Sequence, residues 1–312
     1  MIWVLAALAV LLGGAALLLM NSIASNGPRV VDRIDRLAGG SRDVIEVARA
    51  SLGTSPSQTV ALFRQEGAGG PQPVILFVHG GGWHSGSPDD YEWAARGLAP
   101  EGFVVALSGY RLYPEGRFPT MLEDTAAALR WVVDNAAEHG GDPSRIYLAG
   151  HSAGAYNVVQ LALDPQWIEA AGVPQEAVAG AIGLAGPYDF APFDTDSSRN
   201  SFGEAPDVAA TQPIEFATRD APPMLLVTGE DDTVVRPRNT RVLGAALERL
   251  GAPVETLFIP GYDHNRLVLG LAWPWRRDRT VIDAIVRFIA EPPQRGPIPV
   301  PSPSVAIQGS DR

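Results

Sequence analysis

The stretch GHSAG, residues 150–154, separates the apolar run RIYLA (145–149) from AYNVVQLAL (155–163). The first run reads as a short strand buried on both faces, the second as a helix. A serine between two glycines at such a junction fits the pattern G-x-S-x-G, a sharp strand-to-helix turn that lifts the serine Oγ above the sheet. Glycine is required because side chains in so tight a turn would collide with neighbouring backbone. The helix that begins here points its dipole and its unpaired N–H groups at the reacting centre. Ser152 is therefore the candidate nucleophile, and the N–H of Ala153 a candidate donor to the oxygen that becomes charged.

The same reading extends outward from the turn. PVILFVHG (73–80) and GFVVALSGY (102–110) are further apolar strands bounded by Pro or Gly. MLEDTAAALRWVVDNAAEH (121–139) has helical spacing, with Gly140 as its C-cap. Strands at VAGAIGLAG (178–186), PMLLVTG (223–229) and VETLFIPG (254–261) alternate with helices near 239–250 and 280–290. Such alternation predicts an α/β fold with a mostly parallel sheet and helices on both faces. The catalytic domain is expected over residues 60–290. A small lid insertion is expected at 187–222, which is rich in Asp, Ser, Pro and aromatics. Residues 25–59 read as a polar stem with one weakly amphipathic stretch, Val30 to Leu37, and 291–312 as a Pro-rich disordered tail.

Three other stretches supply partners for the serine. HGGGW (79–83) follows a strand directly, and its glycines let backbone N–H groups approach a ligand without side-chain obstruction. Gly81 and Gly82, with Ala153, are the expected oxyanion hole, and Trp83 beside them is a candidate substrate contact. TGEDDTVVRP (228–237) follows a late strand, where an orienting acid belongs. Asp232 is favoured there, with Asp231 and Glu230 as alternatives. Of the five histidines only His264, in GYDHN (261–265), lies beyond both serine and acid, as the order Ser…Asp…His requires. It would take the Ser152 proton and return it to the leaving group. His151, next to the nucleophile, is expected to line the substrate pocket, and His79 to shape the oxyanion loop. His84 reads as a loop residue.

Composition narrows the class. A net charge of −11 and the lack of any basic tract argue against a nucleic-acid partner. Without cysteine there is no disulfide, thiolate metal site or Cys nucleophile. No cluster has metal-ligand spacing, and no dinucleotide or P-loop motif occurs. Residues Ile2 to Met20 carry no charge and are long enough to cross the roughly 30 Å core of a bilayer. They read as a membrane anchor, with a cleaved signal ending at SIAS (22–25) as the alternative. Arg29, Arg33 and Arg36 point to the cytoplasmic side, a signal-like start to export.

Together HGGGW, GHSAG, GYRLYPEGRFPTMLEDTAAALRWV (109–132) and GGDPSRIYLAGHSAGA (140–155) resemble the α/β-hydrolase superfamily. Within it they are similar to the carboxylesterases with an HGGG oxyanion loop, of the hormone-sensitive-lipase-like and feruloyl-esterase-like kinds. The resemblance covers about Val60 to Ala290. It implies an eight-stranded, mostly parallel sheet and hydrolysis of small-molecule carboxylic esters through an acyl-serine intermediate, without a cofactor. His151 stands where many hormone-sensitive-lipase-like members have Asp, which draws the chain toward the feruloyl-esterase-like or kynurenine-formamidase-like side. Amide or formamide hydrolysis would use the same machinery. A non-catalytic binding protein on this scaffold would usually lack a triad member or an oxyanion glycine, and every part is present here.

Overall fold

The apolar runs become strands of one sheet in the computed structural model, which describes residues 27–296. In chain order they are β1 (Val44–Ser51), β2 (Thr59–Gln65), β3 (Gln72–Val78), β4 (Val104–Ser108), β5 (Gly141–His151), β6 (Val178–Leu184), β7 (Met224–Gly229) and β8 (Val254–Ile259). Across the sheet the order is β1-β2-β4-β3-β5-β6-β7-β8. β2 runs antiparallel to both β1 and β4, and every other pairing is parallel. This is the eight-stranded, mostly parallel arrangement that the resemblance implies.

Successive strand residues point to opposite faces, and the two faces form separate cores. Val74, Leu76 and Val78 share a core with α3 (Thr120–Asn135), α4 (Ala153–Leu163), α5 (Gln166–Ala170) and α7 (Arg238–Leu250). Ile75 and Phe77 pack with α2 (Glu92–Leu98), α8 (Arg266–Leu269) and α9 (Thr280–Ala290). Because both faces are covered, β4 and β7 are buried along their whole length, which is why they read as unbroken apolar runs.

The expected stem differs. Residues 27–37 form a helix, α1, and β1 is an edge strand of the sheet, so the fold begins well before residue 60. β1, VIEVARAS, mixes apolar and charged residues because an edge strand is only half covered, and that hides it in sequence. α1 is held by a buried ion cluster. Asp35, fully buried, accepts from Arg96 Nε at 2.6 Å, from the Trp273 N–H at 2.7 Å and from Arg276 Nη2 at 3.3 Å. Asp32 also pairs with Arg96. Asp35→Ala leaves two guanidinium groups short of their buried partner, so it should cost about 3–5 kcal/mol of stability. Urea unfolding checks this, and a loss below about 1 kcal/mol would contradict it.

The apolar residues 2–20, the 22–25 cleavage motif and the tail beyond 296 lie outside the described residues. Among the described residues no helix is long and apolar enough to cross a membrane. The tail starts in an ordered way, since the Gly296 N–H donates to the Gly251 carbonyl at 3.1 Å.

Candidate active site

β5 delivers the chain to Ser152 and α4 carries it away. Ser152 sits at φ 55°, ψ −118°, a conformation that side chains other than glycine rarely adopt. Its N–H is held by the Leu184 carbonyl of β6 at 2.8 Å. The flanking glycines are sterically fixed. A Cβ at Gly150 would lie 2.4 Å from backbone of Gly154, and one at Gly154 would lie 2.1 Å from the Val78 carbonyl oxygen of β3. The turn can therefore close against β3 only with glycine at both places.

The loop after β3 turns at Gly81 (φ 118°), Gly82 (φ 60°) and Trp83 (φ 62°). A Cβ on Gly81 would lie 2.1 Å from the Ser85 carbonyl oxygen. Among the described residues the N–H groups of Gly81, Gly82 and Ala153 donate to no protein acceptor. They border the same cavity, of about 860 Å³, as Ser152 and His264. Gly27 and Pro28 of α1 reach its wall, as do residues of the 187–222 stretch, including Phe190 and Ser197. That stretch holds α6 (Asp196–Phe202) and is tied down where Asn239 Oδ1 accepts from the N–H groups of Tyr188 and Asp189, both at 2.9 Å.

Of the three acids after β7, Glu230 and Asp231 are exposed and Asp232 is buried. His264 Nδ1 and Asp232 Oδ2 are 2.7 Å apart. Asp232 Oδ1 accepts from the Val234 and Val235 N–H groups at 2.8 and 2.9 Å. A carboxylate can only accept here, so Nδ1 carries a hydrogen, and in the neutral ring Nε2 is the nitrogen without one. No hydrogen bond is closed between Ser152 Oγ and His264 Nε2, as is common before substrate binds.

His151 lies against His264, with ring centroids 4.7 Å apart, and its Nε2 is 3.2 Å from the His264 carbonyl oxygen. Nε2 therefore donates, and the buried Nδ1 has no protein partner. Burial and the neighbouring His264 push its pKa well below the ordinary histidine value. Trp83 also borders the cavity but is almost wholly enclosed. It packs on Tyr156, Phe190 and Phe202, and its Nε1 donates to Asn157 Oδ1 at 3.3 Å. Asn157 carried no motif in the sequence. The first Arg and the single Asp of GYRLYPEGRFPTMLED meet directly: Arg111 donates its backbone N–H, Nε and Nη2 to the Asp124 carboxylate, each at 2.8 Å.

His79 is stacked on Tyr110 at 4.6 Å beneath the loop. Burial pushes its pKa down to about 4. The unfolded chain, with histidine near 6.5, binds a proton that the folded chain refuses between those values. Stability is thus complete above about pH 6.5 and falls with acid, by roughly 3 kcal/mol at pH 4 from this residue alone. Urea midpoints at about pH 7.5, 6 and 4.5 should drop in that order; a flat series would contradict a neutral buried imidazole.

Comparison with known proteins places the chain in a family and matches its fold. The BD-FAE family profile matches residues 61–247, more than half of the 312-residue chain. Esterase LipC of Mycobacterium tuberculosis is 30% identical over 249 residues, covering 72% of this chain and 60% of its own. Isoprenylcysteine alpha-carbonyl methylesterase ICME of Arabidopsis thaliana is 28% identical over 238 residues, covering 70% and 56%. The chain thus spans little more than half the length of these curated relatives. Esterase B of Lactobacillus rhamnosis shares the fold, with TM-score 0.71 at 20% identity, over 87% of this chain and 94% of that one. The chain belongs to the BD-FAE family and carries the α/β-hydrolase fold.

Proposed function

We propose that this chain hydrolyses small-molecule carboxylic esters through an acyl-serine intermediate. The observation that carries the reading is the 2.7 Å Asp232–His264 pair, with His264 lining the same cavity as the strained Ser152. His264 Nε2 takes the hydroxyl proton as Ser152 Oγ attacks the carbonyl carbon. The Gly81, Gly82 and Ala153 N–H groups receive the oxyanion, where fixed donors need no reorganisation as charge develops. His264 returns the proton to the departing alkoxide, and the alcohol leaves. A water then repeats the sequence on the acyl-serine, releasing the acid.

Asp232 remains ionised throughout and stabilises the imidazolium. His151, kept neutral by burial, puts no second positive charge beside it. The ester specificity is carried over from relatives whose names describe esterases. Hydrolysis of p-nitrophenyl acetate, butyrate, octanoate and palmitate by the full chain tests it, with p-nitroanilides and N-formylanilines as the amide arm. Turnover of the amides with none of the esters would replace this reading by amide hydrolysis.

A further inference from the structure

Glycines leave the 80–82 loop free to rotate, and a donor array is useful only if something stops that rotation. The peptide that carries the Gly82 N–H is held by the loop itself, because the Gly81 carbonyl accepts from the His84 and Ser85 N–H groups, both at 3.1 Å. The next peptide is held from outside. The Gly82 carbonyl accepts from the Ser197 hydroxyl of α6 and from His84 Nδ1, the latter at 2.7 Å. With its hydrogen on Nδ1, His84 offers Nε2 to the Asn200 amide of the same helix at 3.3 Å. His84 also lies over the Tyr113 ring at 4.8 Å.

α6 is itself immobilised. Thr195 and Ser198 form a capping box, with the Ser198 N–H donating to Thr195 Oγ1 at 3.1 Å and the Thr195 N–H to Ser198 Oγ at 3.3 Å. Ser197 and Asn200, three residues apart, fall on one face of the helix. The Phe202 ring at its end is buried against Trp83 at 4.7 Å and Phe190 at 5.2 Å. The helix that walls the cavity is thus bolted to the oxyanion loop at one end and to the aromatic core at the other.

We infer that Ser197, His84 and Asn200 are positioning residues for the oxyanion hole. They fix the Gly82 carbonyl so that the glycine donors keep one orientation, and they make that orientation depend on how α6 is seated. The inference rests on the reading of the Gly81 and Gly82 N–H groups as oxyanion donors in ester hydrolysis.

The test uses the full chain with Ser197→Ala, His84→Ala and Asn200→Ala, and Ser197→Thr as the variant that keeps the hydroxyl. With p-nitrophenyl butyrate, Ser197→Ala should lower kcat by about ten- to a hundredfold, below the cost of deleting a donor outright, with KM within about twofold. Asn200→Ala, which only loosens His84, should cost less, and Ser197→Thr should recover most of the rate. The inhibition constant of phenylboronic acid, which forms a tetrahedral adduct on the serine, should rise by the factor by which kcat/KM falls. Thermal melting identifies any variant that fails to fold, and the threonine variant then carries the comparison. Unchanged kcat in the folded alanine variants, or a loss confined to KM, would overturn the inference. An inert wild-type chain would instead overturn the ester-hydrolase reading beneath it.

Discussion

Ser152→Ala is expected to lower kcat on p-nitrophenyl butyrate by about 10⁴- to 10⁶-fold, and His264→Ala by a similar factor. Nucleophile and base act as a unit, so removing either leaves only the oxyanion donors and the cavity. For the same reason the double variant should be little worse than either single one. The fold should tolerate both changes. Ser152 makes no side-chain hydrogen bond among the described residues, and alanine removes only its hydroxyl. Replacing the serine also lessens nothing in the conformational strain at φ 55°, so melting temperature should hold nearly constant while activity collapses. Retention of more than about a hundredth of the wild-type kcat by Ser152→Ala would sink the acyl-serine mechanism. Titration with a fluorophosphonate gives a second readout, one label per active wild-type chain and none on the variant.

Asp232→Asn should lower kcat by about 10⁴-fold near neutral pH, and the reason is specific to this loop. Oδ1 accepts from two backbone N–H groups, Val234 and Val235, so an amide at this position must place its carbonyl oxygen there. Its NH₂ then faces His264 Nδ1, 2.7 Å from the present carboxylate oxygen. A donor facing that nitrogen forces the imidazole hydrogen onto Nε2, the atom that must be bare to take the serine proton. Binding should survive, so KM should change by less than about threefold. A variant with most of its activity intact would show that Asp232 does not set the histidine tautomer, and Glu230 or Asp231 would then need testing.

Much of the site was legible because its residues are tied to local backbone needs. GHSAG and HGGGW are turns in which Gly150, Gly154 and Gly81 are demanded by contacts of 2.1 to 2.4 Å, and such demands leave a mark in any sequence that adopts them. Asp232 was harder to read, since three adjacent acids share one loop and only burial separates them. Ser197, Asn200 and Asn157 left no mark at all. Each works through a partner on another element, Ser197 with Gly82 across 115 positions of the chain, and a lone polar residue on a helix looks the same whether it holds a loop or faces water.

The amino-acid sequence by itself determined the mostly parallel sheet and the strand-to-helix turn at Ser152. These follow from hydrophobic periodicity and from backbone geometry that only glycine permits, both of them short-range properties. Tertiary structure alone decided that residues 27–51 belong to the fold. The buried Asp35 draws in Arg96 and Arg276 from 61 and 241 positions away, and β1 gains its place by pairing with β2. It also decided that Trp83 is mostly enclosed by Tyr156, Phe190 and Phe202 rather than spread along the cavity. Contacts of this kind depend on which elements pack together, and packing is settled only when the whole chain has closed around its two cores.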